Sequence, residues 1–109
     1  MYFNNYQMEA MRTASGMEKQ DQMLVNGVLG LNGEAGECAD IVKKHLFQGH
    51  DLDTEHLAVE LGDVLWYIAV TAYSIGYNLD YIAQMNVDKL RKRYPNGFDA
   101  ERSVNRNEC

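Results

Sequence analysis

Apolar residues recur along this chain at helical spacing, and four segments carry the pattern. The first, about Phe3 to Ser15, places Tyr6 and Ala10 one turn apart, with Gly16 as its expected stop. The second runs from about Met23 to Phe47, where Val28, Leu31, Ala35, Cys38, Val42 and Leu46 repeat along one side. Gly49 suits the left-handed position that ends such a helix. The third begins at Asp53 or Thr54, both good N-caps, and continues to Ser74. The fourth starts after Asn78 and ends at Tyr94, because Pro95 disfavours helical geometry in the residue before it. Pro95-Asn96-Gly97 reads as a turn, and Ser103 to Cys109 as a fraying polar end. No stretch alternates apolar and polar residues over strand length. The expected fold is all-α, most simply a four-helix bundle with short connections.

The third segment adds a constraint. Leu57, Leu61, Val64, Leu65, Ile68, Ala72 and Ile75 make one apolar stripe, while Trp66, Ala69, Val70 and Tyr73 cover much of the remaining circumference. A helix apolar nearly all round is buried nearly all round. In a chain of 109 residues, part of that cover is expected from a second copy, so the protein reads as a homo-oligomer.

Length and charge narrow the function classes. One compact core fills 109 residues and two would not. A hydrophobic share of 46% argues against disorder, and two cysteines in unlike settings, Cys38 and Cys109, argue against a disulfide framework. The formal charge of -6 argues against non-specific nucleic-acid binding, though a metal ion can invert the local sign for a small phosphorylated ligand. The N-terminus has no basic segment followed by an apolar run, and the longest uncharged segment, Val64 to Leu79, is shorter than a membrane span of roughly 18–20 apolar residues. A cytoplasmic protein without membrane or nucleic-acid partners is the expectation.

Two acidic pairs carry the candidate chemistry. Glu34 and Glu37 are three apart on the second helix, and Glu60 and Asp63 are three apart on the third. Residues at i and i+3 project from one face, about 4.5 Å apart along the axis. Helices joined by the short Gln48–Leu52 connection run antiparallel at about 8–10 Å, so both pairs can enter the same space. Their apolar flanks place all four carboxylates on core-facing surfaces. Like charges about 4 Å apart repel by roughly 4 kcal/mol at an effective dielectric of 20. A single E-x-x-E pair would read as a solvated helix face; two, on adjacent helices with apolar borders, read as a cation site. An all-oxygen donor set favours Mg²⁺ or Mn²⁺ over Zn²⁺.

The runs Gly30-Leu31-Asn32-Gly33-Glu34-Ala35-Gly36-Glu37-Cys38-Ala39-Asp40, Lys43-Lys44, Glu60-Leu61-Gly62-Asp63-Val64-Leu65-Trp66-Tyr67 and Asn86-Val87-Asp88-Lys89-Leu90-Arg91-Lys92-Arg93-Tyr94-Pro95 resemble the MazG-like nucleoside triphosphate pyrophosphohydrolases. The likeness spans about Tyr6 to Phe98, with residues 1–98 read as the domain and 99–109 as a polar tail. It implies an all-α homodimer or higher oligomer that cleaves an NTP to NMP and pyrophosphate with Mg²⁺, and it makes Glu34, Glu37, Glu60 and Asp63 the metal ligands. Substrate choice does not carry over, because family members differ in the N-terminal segment and in the Gln48–Leu52 loop.

Further candidates follow from position. Lys44 lies seven residues after Glu37, at nearly the same helical angle, within reach of a phosphate. Asn86, Lys89 and Arg93, at i, i+3 and i+7, form a polar row ending in two cations that suits a polyphosphate. Tyr67, one turn beyond Asp63, can contact sugar or phosphate, or can pack in a core or interface. Trp66 reads as packing, and His45, His50 and His56 have no mutual ligand spacing. Glycines at 27, 30, 33 and 36 match no Walker loop and allow close approach either of a neighbouring helix or of substrate.

The mechanism expected is in-line attack of water on phosphorus, with Glu34 or Glu37 as general base and Lys44, Lys89 and Arg93 countering charge on the leaving pyrophosphate. A di-iron carboxylate bundle would need Glu-x-x-His pairs, which are absent. A phosphoribosyl-ATP pyrophosphohydrolase shares the fold and the bond cleaved. A non-catalytic helical dimer that binds nucleotides or another protein is the alternative of a different class.

Overall fold

The computed structural model describes residues 1–14 and 19–106. Among them the chain forms helices α1 (Phe3–Met11), α2 (Gln20–Phe47), α3 (Thr54–Ser74), α4 (Leu79–Arg93) and α5 (Ala100–Val104), and no strand. The fold is all-α, as the periodicity requires.

Local chemistry sets the boundaries. The α2–α3 connection opens with Gly49 at φ 75, after which the His50 amide returns to the Lys44 carbonyl. It closes with the Asp53 side chain accepting from the His56 amide at 3.0 Å, the cap that fixes the start of α3. α3 ends in a Schellman arrangement. Gly76 takes φ 83, the Tyr77 amide reaches the Ala72 carbonyl at 2.9 Å, and the Gly76 amide reaches the Tyr73 carbonyl at 3.0 Å. Asn78 then accepts from the Tyr81 amide at 2.8 Å and starts α4 at once, so the chain turns by 100° within four residues. α4 ends at Arg93, two residues before Pro95.

Three boundaries depart from the sequence reading. α2 starts at Gln20, three residues before the expected Met23. α1 stops at Met11 because the Thr13 amide and hydroxyl both turn back to the Ala10 carbonyl, at 3.1 and 2.9 Å, an alternative to continuing the helix. Ser15 and Gly16, its expected end and stop, lie outside the described residues. At the other end, Ser103 and Val104 do not fray: they belong to α5, whose N-terminus is capped by Asp99 accepting from the Glu101 and Arg102 amides.

α2 and α3 form an antiparallel hairpin held at close range by glycine. A Cβ at Gly27 would overlap the Thr71 hydroxyl, and one at Gly30 would overlap the Tyr67 ring. α1 lies on α3 and reaches the start of α4. Its Gln7 side chain is buried and donates to the Ala69 and Tyr77 carbonyls at 3.2 and 3.1 Å while accepting from the Leu79 amide at 3.2 Å. Trp66 donates its indole N–H to the Ala10 carbonyl and the Thr13 hydroxyl, which gives it the packing role expected of it. The core between these helices is small: Ala10, Ala69, Ala72 and Leu79 form one cluster, and Ala14, Met23 and Val70 another. No single helix among the described residues is long and apolar enough to cross a membrane.

Candidate functional site

The hairpin register opposes the beginning of α2 to the end of α3, and so brings Glu34 against Glu60 and Asp63. One carboxylate oxygen from each of these three residues lies within 4.8 Å of the others. Glu34 and Glu60 are half-buried and Asp63 is exposed. Crowding of like charge shows in the protonation of Glu34. A hydrogen bond that its protonated form donates to Glu60, followed by desolvation and the charges of Glu60, Asp63 and Glu37, holds its carboxyl above the ordinary 4.5.

Glu37, one turn along α2 from Glu34, lies outside the set of three and is exposed, with its charge felt at both Glu34 and Lys44. The expectation that all four carboxylates face the core therefore holds for Glu34 and Glu60 only. The physical reason is that α2 and α3 supply two walls of the site, while Glu37 and Asp63 sit on its open side.

Lys44 is half-buried and already occupied. Its ammonium lies 2.9 Å from Asp40, with Lys43 on the other oxygen at 3.7 Å. This pairing pulls the Asp40 carboxyl below its usual value and raises the Lys44 ammonium. Tyr67 covers Gly30 and meets the Trp66 ring edge-on at 4.9 Å. The glycine question is resolved by position: Gly27 and Gly30 admit α3, whereas Gly33 and Gly36 have open space before them on the acidic stretch.

The polar row of α4 does not join this group within one chain. Asn86 and Lys89 are exposed, and the Arg93 carbonyl accepts from Arg102. Helical rise sets Ser74 about 16 Å beyond Asp63 and Lys89 about 15 Å beyond Leu79. With the 100° corner between them, Lys89 is on the order of 20 Å from the carboxylates.

Two contributors escaped the sequence reading. His56 places Nε2 3.3 Å from Glu60, an i, i+4 pair whose spacing was available in the sequence. Tyr6 comes from α1 into electrostatic reach of Asp63, and burial, then that charge, raise its phenol above the usual 10.0. No local spacing signals that second contact, because it is made across the tertiary fold.

Residues 24–98, more than half of the chain, match the MazG nucleotide pyrophosphohydrolase domain. The chain is also similar to the Gene 37 protein of Mycobacterium phage L5, at 36% identity over 105 residues, covering 89% of this chain and 92% of that protein. No solved structure matches it.

Proposed function

Because this chain belongs to the MazG nucleotide pyrophosphohydrolase domain family, we propose that it hydrolyses a nucleoside triphosphate, ribo or deoxy, to the monophosphate and pyrophosphate with Mg²⁺, or Mn²⁺ in its place. The observation that carries the proposal is the meeting of Glu34, Glu60 and Asp63 oxygens within 4.8 Å, a crowding that raises the Glu34 carboxyl above its ordinary value. Such crowding is relieved by a divalent cation, and the donors are all hard oxygens, so the residues fit Mg²⁺ or Mn²⁺.

Glu34, Glu60 and Asp63 would hold the ion, with Glu37 completing the set from the rim. Bound there, it supplies charge neutralisation at phosphate oxygens. Glu37 makes no hydrogen bond among the described residues and lies on the exposed rim, whereas Glu34 is engaged with Glu60 and Asp63, so Glu37 is the better placed of the two to take a proton from the attacking water. Lys44 exchanges its contact with Asp40 for a phosphate oxygen. The Tyr67 hydroxyl contacts sugar or phosphate. His56 positions the Glu60 carboxylate from one turn away.

Self-association completes the site. Along α2, Val25, Val28, Asn32, Ala35, Ala39, Val42 and Leu46 follow alternating steps of three and four, and all are exposed. That is the spacing of a helix–helix seam, about 32 Å long. Large apolar residues of α3 (Val59, Leu61 and Tyr73) and its C-cap Ile75 are exposed as well. A homodimer or tetramer closed through these faces would cover them. It would also give Asn86, Lys89 and Arg93 of α4 a route to a triphosphate on a neighbouring copy. Residues 1–98 form the unit, α1 included because Gln7 ties it to the α3–α4 corner, and α5 in the polar segment that follows is tied back to the end of α4 through Arg102.

Incubation with Mg²⁺ and each common NTP and dNTP, followed by chromatography of the products, tests the reading. Monophosphate plus pyrophosphate supports it. Diphosphate plus orthophosphate overturns the bond assignment, and no turnover with any nucleotide gives the site to a binding role.

A further inference from the structure

The basic residues are unevenly placed in this acidic chain. Six of its ten Lys and Arg residues fall within residues 88–106, against three Asp and Glu, while the whole carries -6. The structure gathers four of them around one cleft of about 410 Å³ between the end of α4 and α5, lined by Lys92, Arg93, Arg102, Arg106, Asp99 and Glu101. The Arg102 guanidinium is fixed in place: Nε donates to the Arg93 carbonyl at 2.6 Å and Nη2 to the Lys92 carbonyl at 3.3 Å. Those bonds use two of its five N–H groups and leave three to donate elsewhere. Lys92 and Arg106 are exposed and make no ion pair among the described residues. Of the two acids, Asp99 has its carboxylate engaged in capping α5, and Glu101 lies in the first turn of that helix, where negative charge is favoured.

We propose that this cleft is an anion site for a small polyphosphate, with Lys92, Arg102 and Arg106 as its donors. A guanidinium already oriented by backbone carbonyls loses little freedom on binding, and arginine matches phosphate oxygens in bidentate fashion. A short polyphosphate fits better than a nucleic acid. The cleft is confined, and a long polyanion would have to pass the acidic remainder of the chain. The site lies beyond residues 24–98 in most of its donors, and it depends on neither the carboxylates nor a metal.

The test is calorimetric titration of the full chain with inorganic tripolyphosphate in EDTA, which removes divalent cations from the carboxylate site. Saturable binding is expected, weakened at least tenfold by Arg106→Glu and by Lys92→Glu, each checked for native helicity by circular dichroism, and unchanged by Glu60→Gln. A parallel arm uses an oligothymidylate. Absence of tripolyphosphate binding, equal binding by both charge-reversal variants, or tighter binding of the oligothymidylate would each overturn the proposal. Because no turnover is measured, failure here leaves the hydrolytic reading intact, and failure of that reading leaves this site standing.

Discussion

Glu34 is the residue on which the site's protonation turns. Its raised carboxyl stabilises the protonated fold, so without metal its contribution is present at low pH and is lost as pH rises from about the ordinary 4.5 through the raised value. A divalent cation reverses that trend, because it needs the ionised form. The melting temperature of the metal-free protein should therefore fall across that window, while the gain on adding Mg²⁺ grows. Glu34→Gln keeps a hydrogen-bonding side chain and removes a charge. It should melt no lower than wild type in EDTA and show little gain with Mg²⁺; scanning fluorimetry at several pH values, with and without the ion, reads both. The carboxylate pairs themselves were legible from their three-residue spacing. His56 beside Glu60 and Asp40 beside Lys44 were legible in principle from i, i+4 spacing, but each is an ion pair along one helix and not a ligand pattern shared between two. Tyr6 near Asp63 had no local signal at all.

At the scale of elements, the α2–α3 contact determines which acids meet. Gly27→Ala brings a Cβ against the Thr71 hydroxyl, with the Thr71 Cα at 3.3 Å behind it, so the two helices must part. Overpacking of this kind costs about 1–3 kcal/mol, against about 1 kcal/mol gained in helix propensity. Gly33→Ala has nothing within 4 Å and keeps only the gain. Chemical denaturation should thus show Gly27→Ala less stable than wild type and Gly33→Ala more stable by about 1 kcal/mol. Opposite signs for two glycines in one helix would be hard to obtain from any other register. The sequence pattern located α2, α3 and α4 closely because their ends carry strong chemistry: Gly49, Asp53, Asn78 and Pro95. It overran α1, where Thr13 turns back on Ala10, and missed α5, where the Asp99 cap was available but followed a proline turn that reads as a terminus. The 100° corner at Gly76 was not legible, since a Schellman end fixes where a helix stops and the Asn78 cap fixes where the next one points.

For the whole molecule, the single chain buries little: Val70 is the largest fully buried side chain among the described residues, while Leu46 and Leu61 are 62% and 54% exposed. The apolar circumference of α3 is what made cover by a second copy an expectation, and the proposed α2 seam gives that cover a direction. Val28→Glu places a charge in that seam at a position exposed in the single chain, so the helices should survive while the assembly does not. Light scattering on a sizing column should give a multiple of 12.4 kDa for wild type and about 12.4 kDa for the variant, and a wild type already at the single-chain mass would refute the seam.

If the acids of α2 and α3 form one cation site, Mn²⁺ titration followed by electron paramagnetic resonance reads it directly, without relying on turnover. Wild type at neutral pH should remove free Mn²⁺ from solution in proportion to protein, and Glu60→Gln, still helical, should leave most of it free. Wild-type protein that takes up no manganese, or a Glu60→Gln variant that takes up as much, would contradict the account.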